Sequence, residues 1–217
     1  QEASRHISLI EKIYNKKNKK NFTELNENQK ISFLIKSLKS KKFLINKNFF
    51  SNKEDKETWE TFRLISKTPK ECLGAYIISM TSSASDILAV MLLQKEAGIK
   101  NYLRIVPLFE TLQDLNDSKK VMKQIYSIKF YRNHFKNNQE IMIGYSDSSK
   151  DAGKICASWH QYKAQEEIVN LARKYKIEVT FFHGRGGSAG RGGGPIQATL
   201  RSQPPNSVNG KIRITDQ

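Results

Sequence analysis

Two carboxylates and a lysine stand out because they follow short apolar runs of the kind that form buried strands. Glu110 closes the stretch "PLFE", Asp147 lies in "GYSDSSKDAG", and Lys150 follows Asp147 by three positions. A pair of carboxylates suits a hard divalent cation such as Mg²⁺ or Mn²⁺, which prefers oxygen ligands and keeps part of its water. The alternative for each acid alone is structural: Glu110 as a helix N-terminal acid and Asp147 as a cap or turn residue.

A glycine-rich segment, "FFHGRGGSAGRGGGP" at residues 181–195, contains a second group of chemically competent residues. Glycine lets the backbone approach a ligand closely, and successive N–H groups can surround an anion. Arg185 and Arg191 add planar donor pairs that match phosphate and carboxylate oxygens. The alternatives are an RGG-type RNA-binding tract and a flexible linker. Because the segment leaves an apolar run and stops at a proline, the anion-binding loop is favoured.

Four residues give weaker signals when each is considered alone. His183 precedes the loop, where a histidine is as often a hydrogen-bonded structural residue as a reactive one. Lys150 is predicted in the first turn of a helix from about Lys150 to Tyr175. It could be a surface lysine, but because that turn disfavours cations, an anionic ligand would give a reason for its position. Cys72 and Cys156 lack a metal-binding spacing and are predicted to fill the core.

The elements that must position these residues are predicted from four apolar runs, at 75–80, 103–110, 140–147 and 178–184. The runs recur every 30 to 40 residues or so, about the length of a βα repeat, with helical stretches between them, which favours a parallel sheet. The carboxyl ends of parallel strands open on one face, so residues that follow different strands can converge. Four repeats are half of a (β/α)8 barrel or most of an open doubly wound sheet, and the spacing does not choose between them.

The totals of the chain limit its class. It has 217 residues, 38% of them hydrophobic, and a formal net charge of +16, so it can bury a core and favours anionic partners. Much of the excess charge is lysine interleaved with asparagine, which an AT-rich genome would also produce. Residues 1–68 are predicted to be a helical, Lys/Asn-rich segment and residues 69–217 an α/β catalytic region. No apolar run approaches a membrane span, and the cysteine usage fits a reducing compartment.

The motifs "IMIGYSDSSKDAG" and "FFHGRGGSAGRGGGP", in this order, resemble the two signature stretches of the phosphoenolpyruvate carboxylase family. "QEASRH", "VPLFETLQDL" and "SQPPNSVNGKIRIT" keep the family's order around them, so the resemblance covers nearly the whole chain except about 16–57. It implies an α/β fold that is part of a (β/α)8 TIM-type barrel with many additional helices. The barrel is incomplete in this chain, and residues 69–217 are its partial catalytic region.

The resemblance also implies a reaction and a set of site residues. Members of the family are lyases that join phosphoenolpyruvate and bicarbonate to give oxaloacetate, which enters the tricarboxylic acid cycle, and inorganic phosphate. The reaction passes through carboxyphosphate and an enolate and uses Mg²⁺ or Mn²⁺. By resemblance Glu110 and Asp147 are the metal ligands, Lys150 is a catalytic lysine, and His183 lies beside the carbon dioxide that forms transiently.

The glycine-rich loop has two implied roles. Arg185 and Arg191 are catalytic and, with Gly186 and Gly187, bind the phosphoryl and carboxyl oxygens of the substrate. A loop arginine also contributes to the pocket for dicarboxylate effectors such as aspartate or malate in these allosteric enzymes. The full-length enzyme is expected to be a cytoplasmic homotetramer, with neither nucleic acid nor a membrane as partner.

The chain departs from the family pattern in what it lacks. An essential upstream histidine and an arginine immediately before Gln1 are missing, as are the later barrel strands. The chain is therefore expected to be a fragment of a bacterial-type enzyme and to be inactive alone. Two alternatives stay open: a nucleic-acid-binding module that uses the basic surface, and a decayed or truncated gene product without activity.

Overall fold

The structure, a computed structural model, describes residues 1–16, 18, 21–46, 49–50, 52–184 and 196–215. Its helices are α1 (Ala3–Asn15), α2 (Glu27–Lys39), α3 (Lys53–Lys67), α4 (Ala84–Glu96), α5 (Leu112–Ser127), α6 (Lys129–His134), α7 (Ser146–Ala152), α8 (Lys154–Lys174) and α9 (Ile196–Arg201). Its strands are β1 (Ala75–Ile78), β2 (Arg104–Phe109), β3 (Asn138–Gly144), β4 (Glu178–Gly184) and β5 (Arg213–Ile214). Helices alternate with strands from β1 onwards, so the fold is α/β.

The chain divides into two compact units, Gln1–Ile105 and Val106–Gln217. The division into a helical segment and a catalytic region at residues 68 and 69 stays a prediction, because a boundary of compactness and a boundary of function need not coincide. In the described part of the chain, no helix has both the length and the apolar character that crossing a bilayer requires.

All four predicted strands are present, but some of their ends differ from the prediction. β1 and β2 are slightly shorter than the apolar runs, and β4 matches its run at both ends. β3 begins two residues before the predicted 140–147 and ends three residues before its end, because α7 already begins at Ser146. Asp147 therefore lies in a helix and not at the tip of a strand. β5 lies within "GKIRITDQ" at 210–217, a stretch whose sequence also predicts a strand.

In the second unit, which begins within β2 at Val106, strands β2 to β5 form a parallel sheet in which each strand pairs with the next along the chain. β3 and β4 pair over their whole length, from Asn138 opposite Glu178 to Gly144 opposite Gly184. Apolar side chains in the middle of these strands are buried, and helices α5 and α8 pack against each other. The parallel arrangement with helical connections is compatible with part of a barrel.

The connection after β3 consists of two helices and not one. Gly153 separates α7 from α8 with a φ of 78°, a backbone conformation that glycine adopts without steric cost. The prediction of a single helix from about Lys150 to Tyr175 is therefore wrong at its beginning. The seven residues of α7 and the 21 residues of α8 are therefore two separate helices.

In the first unit, α1, α3 and β1 contribute His6, Phe62 and Tyr76 to an aromatic cluster. His6 Nε2 lies 2.8 Å from the Tyr76 hydroxyl, and the Tyr76 ring stacks on Phe62 with centroids 5.1 Å apart. All three side chains are buried. Burial is the main cause that lowers the pKa of His6 from 6.5 to about 3, so His6 is neutral near pH 7.

Both cysteines are exposed, so the prediction that they fill the core is wrong. Cys72 ends a short 3-10 turn, and Cys156 lies in the first turn of α8, beside an Ile155 that is 89% exposed. Both thiols are free and lie at the surface.

Candidate functional site

The carboxyl ends of β2, β3 and β4 are level with one another. Phe109 pairs with Ile143, and Ile143 pairs with His183, so these residues form one row across the sheet. Glu110 follows Phe109 directly after β2, and Gly144 follows Ile143 at the end of β3. Glu110 and His183 therefore belong to the same edge of the sheet, to which residues after parallel strands are directed.

Glu110 contacts the backbone of the neighbouring strand closely. A Cβ atom added at Gly144 would lie 3.0 Å from Glu110 Cα and 3.1 Å from Glu110 Cγ, which is tighter than ordinary van der Waals contact. A side chain at residue 144 would therefore require Glu110 to shift slightly from this position. Because Gly144 at the end of β3 has no side chain, Glu110 at the end of β2 can lie directly against it.

The backbone around Glu110 is fixed by carboxylates at the amino end of α5. Asp114 Oδ2 accepts hydrogen bonds from the N–H groups of Glu110 and Thr111, at 3.3 and 3.0 Å. Thr111 Oγ1 accepts from the Asp114 N–H at 3.1 Å, which completes a capping box. The Leu112 N–H donates to Asp151 Oδ2 at 3.2 Å, so a residue of α7 also binds the start of α5.

A buried glutamine on α8 attaches α7 to the end of β3. Gln161 Nε2 lies 3.2 Å from the Gly144 carbonyl oxygen and 2.8 Å from Ser148 Oγ. Ser148 Oγ itself donates to the Gly144 carbonyl at 3.1 Å. Ser148 and Gln161 are both buried. This network positions the first turn of α7, in which Asp147 lies.

Asp147 and Lys150 contact each other on the exposed face of α7. Lys150 Nζ lies 3.1 Å from Asp147 Oδ1, and the side chains are 76% and 49% exposed, respectively. An ion pair this exposed contributes about 0–1 kcal/mol, so a ligand can separate it at small cost. Because α7 ends at Ala152, Lys150 lies in its last turn and not in a first turn. That turn favours cations, so the argument from helix polarity for an anion at Lys150 is wrong.

His183 is buried at the end of β4 and contacts a residue from the end of β3. Its side chain is 1% exposed, and Nδ1 lies 2.8 Å from the Tyr145 hydroxyl. The carbonyl of His183 accepts a hydrogen bond from the Thr215 N–H at 3.0 Å, just after β5. Both the ring and the backbone of His183 are thus held by the strands on either side.

The predicted loop residues Arg185, Gly186, Gly187 and Arg191 lie outside the described residues. The described chain ends its fourth strand at Gly184 and continues with α9 at Ile196. The loop therefore starts from the same sheet edge that carries His183. Its assigned role in binding phosphoryl and carboxyl oxygens stays a prediction.

The carboxylate donors Glu110 and Asp147 suit an open site for a divalent cation better than a closed zinc-type site. In the part of the chain that the structure describes, no cluster of three or more His, Cys, Asp or Glu side chains could hold a metal by itself. That excludes a closed structural zinc-type site among these residues. Glu110 and Asp147 provide carboxylate oxygens, and Mg²⁺ is often held by one or two carboxylates with water and substrate oxygens as its other ligands. The chemistry of these two donors is compatible with an open site of this kind, and their assignment as ligands of one cation stays a prediction.

Tyr145, Ser148 and Gln161 were not identified as site residues from the sequence. Tyr145 and Ser148 belong to the same "GYSDSSKDAG" stretch as Asp147, and their closeness to a strand end was the available signal. Gln161 gives no such signal, because its contact with residues 13 and 17 positions earlier depends on how α8 folds back over β3.

Comparison with known proteins gives a match over the whole chain. The profile of the phosphoenolpyruvate carboxylase family matches residues 1–217. A curated protein of Histophilus somni (strain 2336) is 48% identical over 217 residues, and one of Marinomonas sp. (strain MWYL1) is 46% identical over the same length. One of Acinetobacter baylyi is 47% identical over 224 aligned positions. Each is named phosphoenolpyruvate carboxylase, and each alignment covers 100% of this chain but 25% of the relative, so the chain spans about a quarter of their length.

Proposed function

Since the chain belongs to the phosphoenolpyruvate carboxylase family, we propose that it is part of an enzyme that carboxylates phosphoenolpyruvate with bicarbonate. The products are oxaloacetate and inorganic phosphate. The observation that carries the proposal, besides the match over residues 1–217, is the level row of strand ends. It brings Glu110, His183 and the start of the glycine-rich loop to one edge of a parallel sheet. Active sites of parallel α/β proteins lie at this edge.

The reaction divides into transfer of a phosphoryl group and formation of a carbon–carbon bond. A bicarbonate oxygen attacks phosphorus, the bond from phosphorus to the enol oxygen breaks, and carboxyphosphate and the enolate of pyruvate form. Carboxyphosphate then releases carbon dioxide and phosphate. The methylene carbon of the enolate attacks carbon dioxide, which gives oxaloacetate.

The residues of the chain receive distinct roles in this reaction. Glu110 and Asp147 would hold the divalent cation, which supplies positive charge that offsets the negative charge of the phosphoryl group when it is bound. Lys150, which contacts Asp147 in this structure, would bind a substrate oxygen through its ammonium group. Arg185 and Arg191 bind the phosphoryl and carboxyl oxygens, because guanidinium donors match both geometries.

The loop and His183 protect the second half of the reaction. The enolate is destroyed if water protonates its carbon, because pyruvate is then released. Closure of the loop at 185–195 over the site excludes water until the carbon–carbon bond has formed. His183, which is buried beside the loop start, stays out of contact with bulk water and lies next to carbon dioxide.

We extend the proposal to the architecture and the partners of the whole protein. Strands β2 to β5 follow one another in the sheet in chain order, which supports a (β/α)8 barrel over an open sheet whose strand order reverses. We propose a cytoplasmic homotetramer that responds to dicarboxylates such as aspartate or malate. These features belong to the longer protein, of which this chain is a part.

The test is an assay of the full-length protein that contains this chain. We expect phosphate release that requires phosphoenolpyruvate, bicarbonate and Mg²⁺ or Mn²⁺ together, with one oxaloacetate formed for each phosphate. Removal of the cation with a chelator should abolish both products, and adding it back should restore them. Phosphate release without oxaloacetate, or retention of RNA that weakens steeply with salt in place of catalysis, would contradict the proposal.

We also propose that residues 1–217 alone have no activity. A partial barrel leaves strand edges unpaired, and the family's essential upstream histidine is not in this sequence. The same assay on the isolated chain should give no oxaloacetate above background. Measurable carboxylation by this chain would show that the missing parts are dispensable.

A further inference from the structure

We propose that Tyr145 is a positioning residue for His183: its hydroxyl donates a hydrogen bond to Nδ1 and keeps the neutral ring with its hydrogen on Nε2. The inference rests on the proposed function, because it concerns a histidine of the same site. It adds a residue and a protonation state that the sequence motifs do not assign.

The geometry places the two side chains in direct contact. The Tyr145 oxygen lies 2.8 Å from His183 Nδ1, and the ring centroids are 6.1 Å apart. The residues are 38 positions apart in sequence and meet because Gly144 and Gly184 pair at the ends of adjacent strands. Because the His183 side chain is 1% exposed, water does not compete for this hydrogen bond as it would at the surface.

The chemistry of the two groups gives the hydrogen bond its direction. A neutral imidazole has one N–H donor and one bare nitrogen that accepts. A phenol, with a pKa of about 10, is a far better hydrogen donor than the N–H of a neutral imidazole. The stable arrangement is therefore a phenol O–H that donates to a bare Nδ1, which leaves the ring hydrogen on Nε2.

This tautomer suits the second half of the proposed reaction. An Nε2–H can donate a hydrogen bond to an oxygen of carbon dioxide or of the carboxylate that forms from it. The neutral ring is also a much weaker acid than an imidazolium, so it does not protonate the enolate carbon. Tyr145 occupies the nitrogen at which the ring would otherwise accept a proton, and thereby keeps His183 a donor.

The test combines a measurement of the tautomer with a measurement of turnover, both on the full-length protein. In protein labelled with ¹⁵N-histidine, the ring signals of His183 are assigned by their absence in His183→Gln. We expect the wild-type ring to carry hydrogen on Nε2 only. In Tyr145→Phe both tautomers should be populated, turnover to oxaloacetate should fall about five- to tenfold with little change in KM for phosphoenolpyruvate, and the share of pyruvate should rise.

Tyr162→Phe is the matched control, because it removes a phenol hydroxyl from α8, where the Tyr162 ring stacks on Trp159. It should change neither the ring signals of His183 nor the product ratio. A wild-type ring with hydrogen on Nδ1 overturns the proposal, and this measurement decides even if Tyr145→Phe does not fold. A Tyr145→Phe protein with wild-type signals and turnover overturns it as well. If the wild type makes no oxaloacetate, the proposed function fails, while the ring signals still decide the hydrogen bond.

Discussion

Gly144 and Glu110 lie so close at adjacent strand ends that a β-carbon on residue 144 would stand 3.0 Å from the Glu110 Cα atom. The contact is with backbone, which cannot rotate away as the end of a long side chain can. The position of the Glu110 carboxylate therefore depends on the glycine at residue 144 of the neighbouring strand.

We expect Gly144→Ala to displace Glu110 and to weaken cation binding. Overpacking of this kind costs about 1–3 kcal/mol of stability, and a shifted carboxylate no longer meets the cation at its usual distance of about 2.1 Å. The measurement is the Mn²⁺ concentration that gives half-maximal activity of the full-length protein, together with its melting temperature.

Gly74→Ala is the matched control for this substitution. Apart from its two chain neighbours, no heavy atom of the described residues lies within 4 Å of a β-carbon built at Gly74, so the added methyl group meets open space there. The control should leave the Mn²⁺ dependence unchanged. An identical Mn²⁺ dependence in both variants would show that Glu110 has no part in cation binding or that the strand ends adjust freely.

We expect Gln161→Leu to destabilise the protein by about 1–3 kcal/mol, because it removes the donor shared by the Gly144 carbonyl and Ser148 Oγ. The loss should also loosen α7, which hydrogen exchange of the backbone N–H groups of α7 would detect. Gln165→Leu is the contrasting variant, since within the described residues Gln165 Oε1 is buried without a hydrogen-bond partner. That change should cost less than Gln161→Leu, and the reverse ranking would contradict the role given to Gln161.

The free energy of unfolding should fall as the pH is lowered from 6.5 towards 3, because His6 binds a proton in the unfolded state before it does so in the folded state. Folded His6 stays neutral down to its pKa of about 3, whereas unfolded His6 takes up a proton near pH 6.5. The unfolded state thus binds more protons between these values. His6 therefore lowers the free energy of unfolding by at most about 1.4 kcal/mol for each pH unit below 6.5.

The contribution of His6 is isolated by comparing urea unfolding of the wild type and His6→Gln at pH 7.5, 6.5 and 5.5. The variant should be less stable at pH 7.5, because the packing against Phe62 and Tyr76 is disturbed, but it should lose less stability on acidification. His160→Gln serves as the control outside this cluster. Parallel pH profiles for the wild type and His6→Gln would refute the link.

Much of the fold could be predicted because it depends on local signals. Short apolar runs located all four longer strands, and the change from apolar to helical pattern located α4 and α5. The end of β3 was misplaced because no glycine or proline separates Gly144 from the polar residues that begin α7. The break at Gly153 was missed because a glycine between two helical stretches does not by itself indicate a positive φ.

The candidate site could be predicted in its residue types but not in its contacts. The placement of Glu110 and His183 at one sheet edge follows from parallel strands alone. The pairs Tyr145–His183 and Gln161–Ser148 depend on the register of β3 with β4 and on the path of α8, which no local pattern encodes. The place of Lys150 in the last turn of α7 likewise depended on where that helix ends.

We expect Arg191→Lys in the full-length protein to lower turnover roughly ten- to hundredfold, because lysine keeps the charge but loses the paired donors of the guanidinium group. The share of phosphoenolpyruvate that ends as pyruvate should rise with a loosened loop. Arg201→Lys, at the end of α9, is the control and should leave the product ratio unchanged. Arg191 lies outside the described residues, so this prediction comes from the sequence. Wild-type turnover and product ratio in Arg191→Lys would remove the role assigned to this arginine.

The exposed positions of the two cysteines make the chain suitable for distance spectroscopy without new mutations. Cys72 lies in the first compact unit and Cys156 in the second, and both thiols are free and accessible. A pair of spin labels or fluorescent dyes on these native thiols would report the separation of the two units as a distribution. A single narrow distribution would identify one rigid body, and a broad one would identify two bodies that move relative to each other.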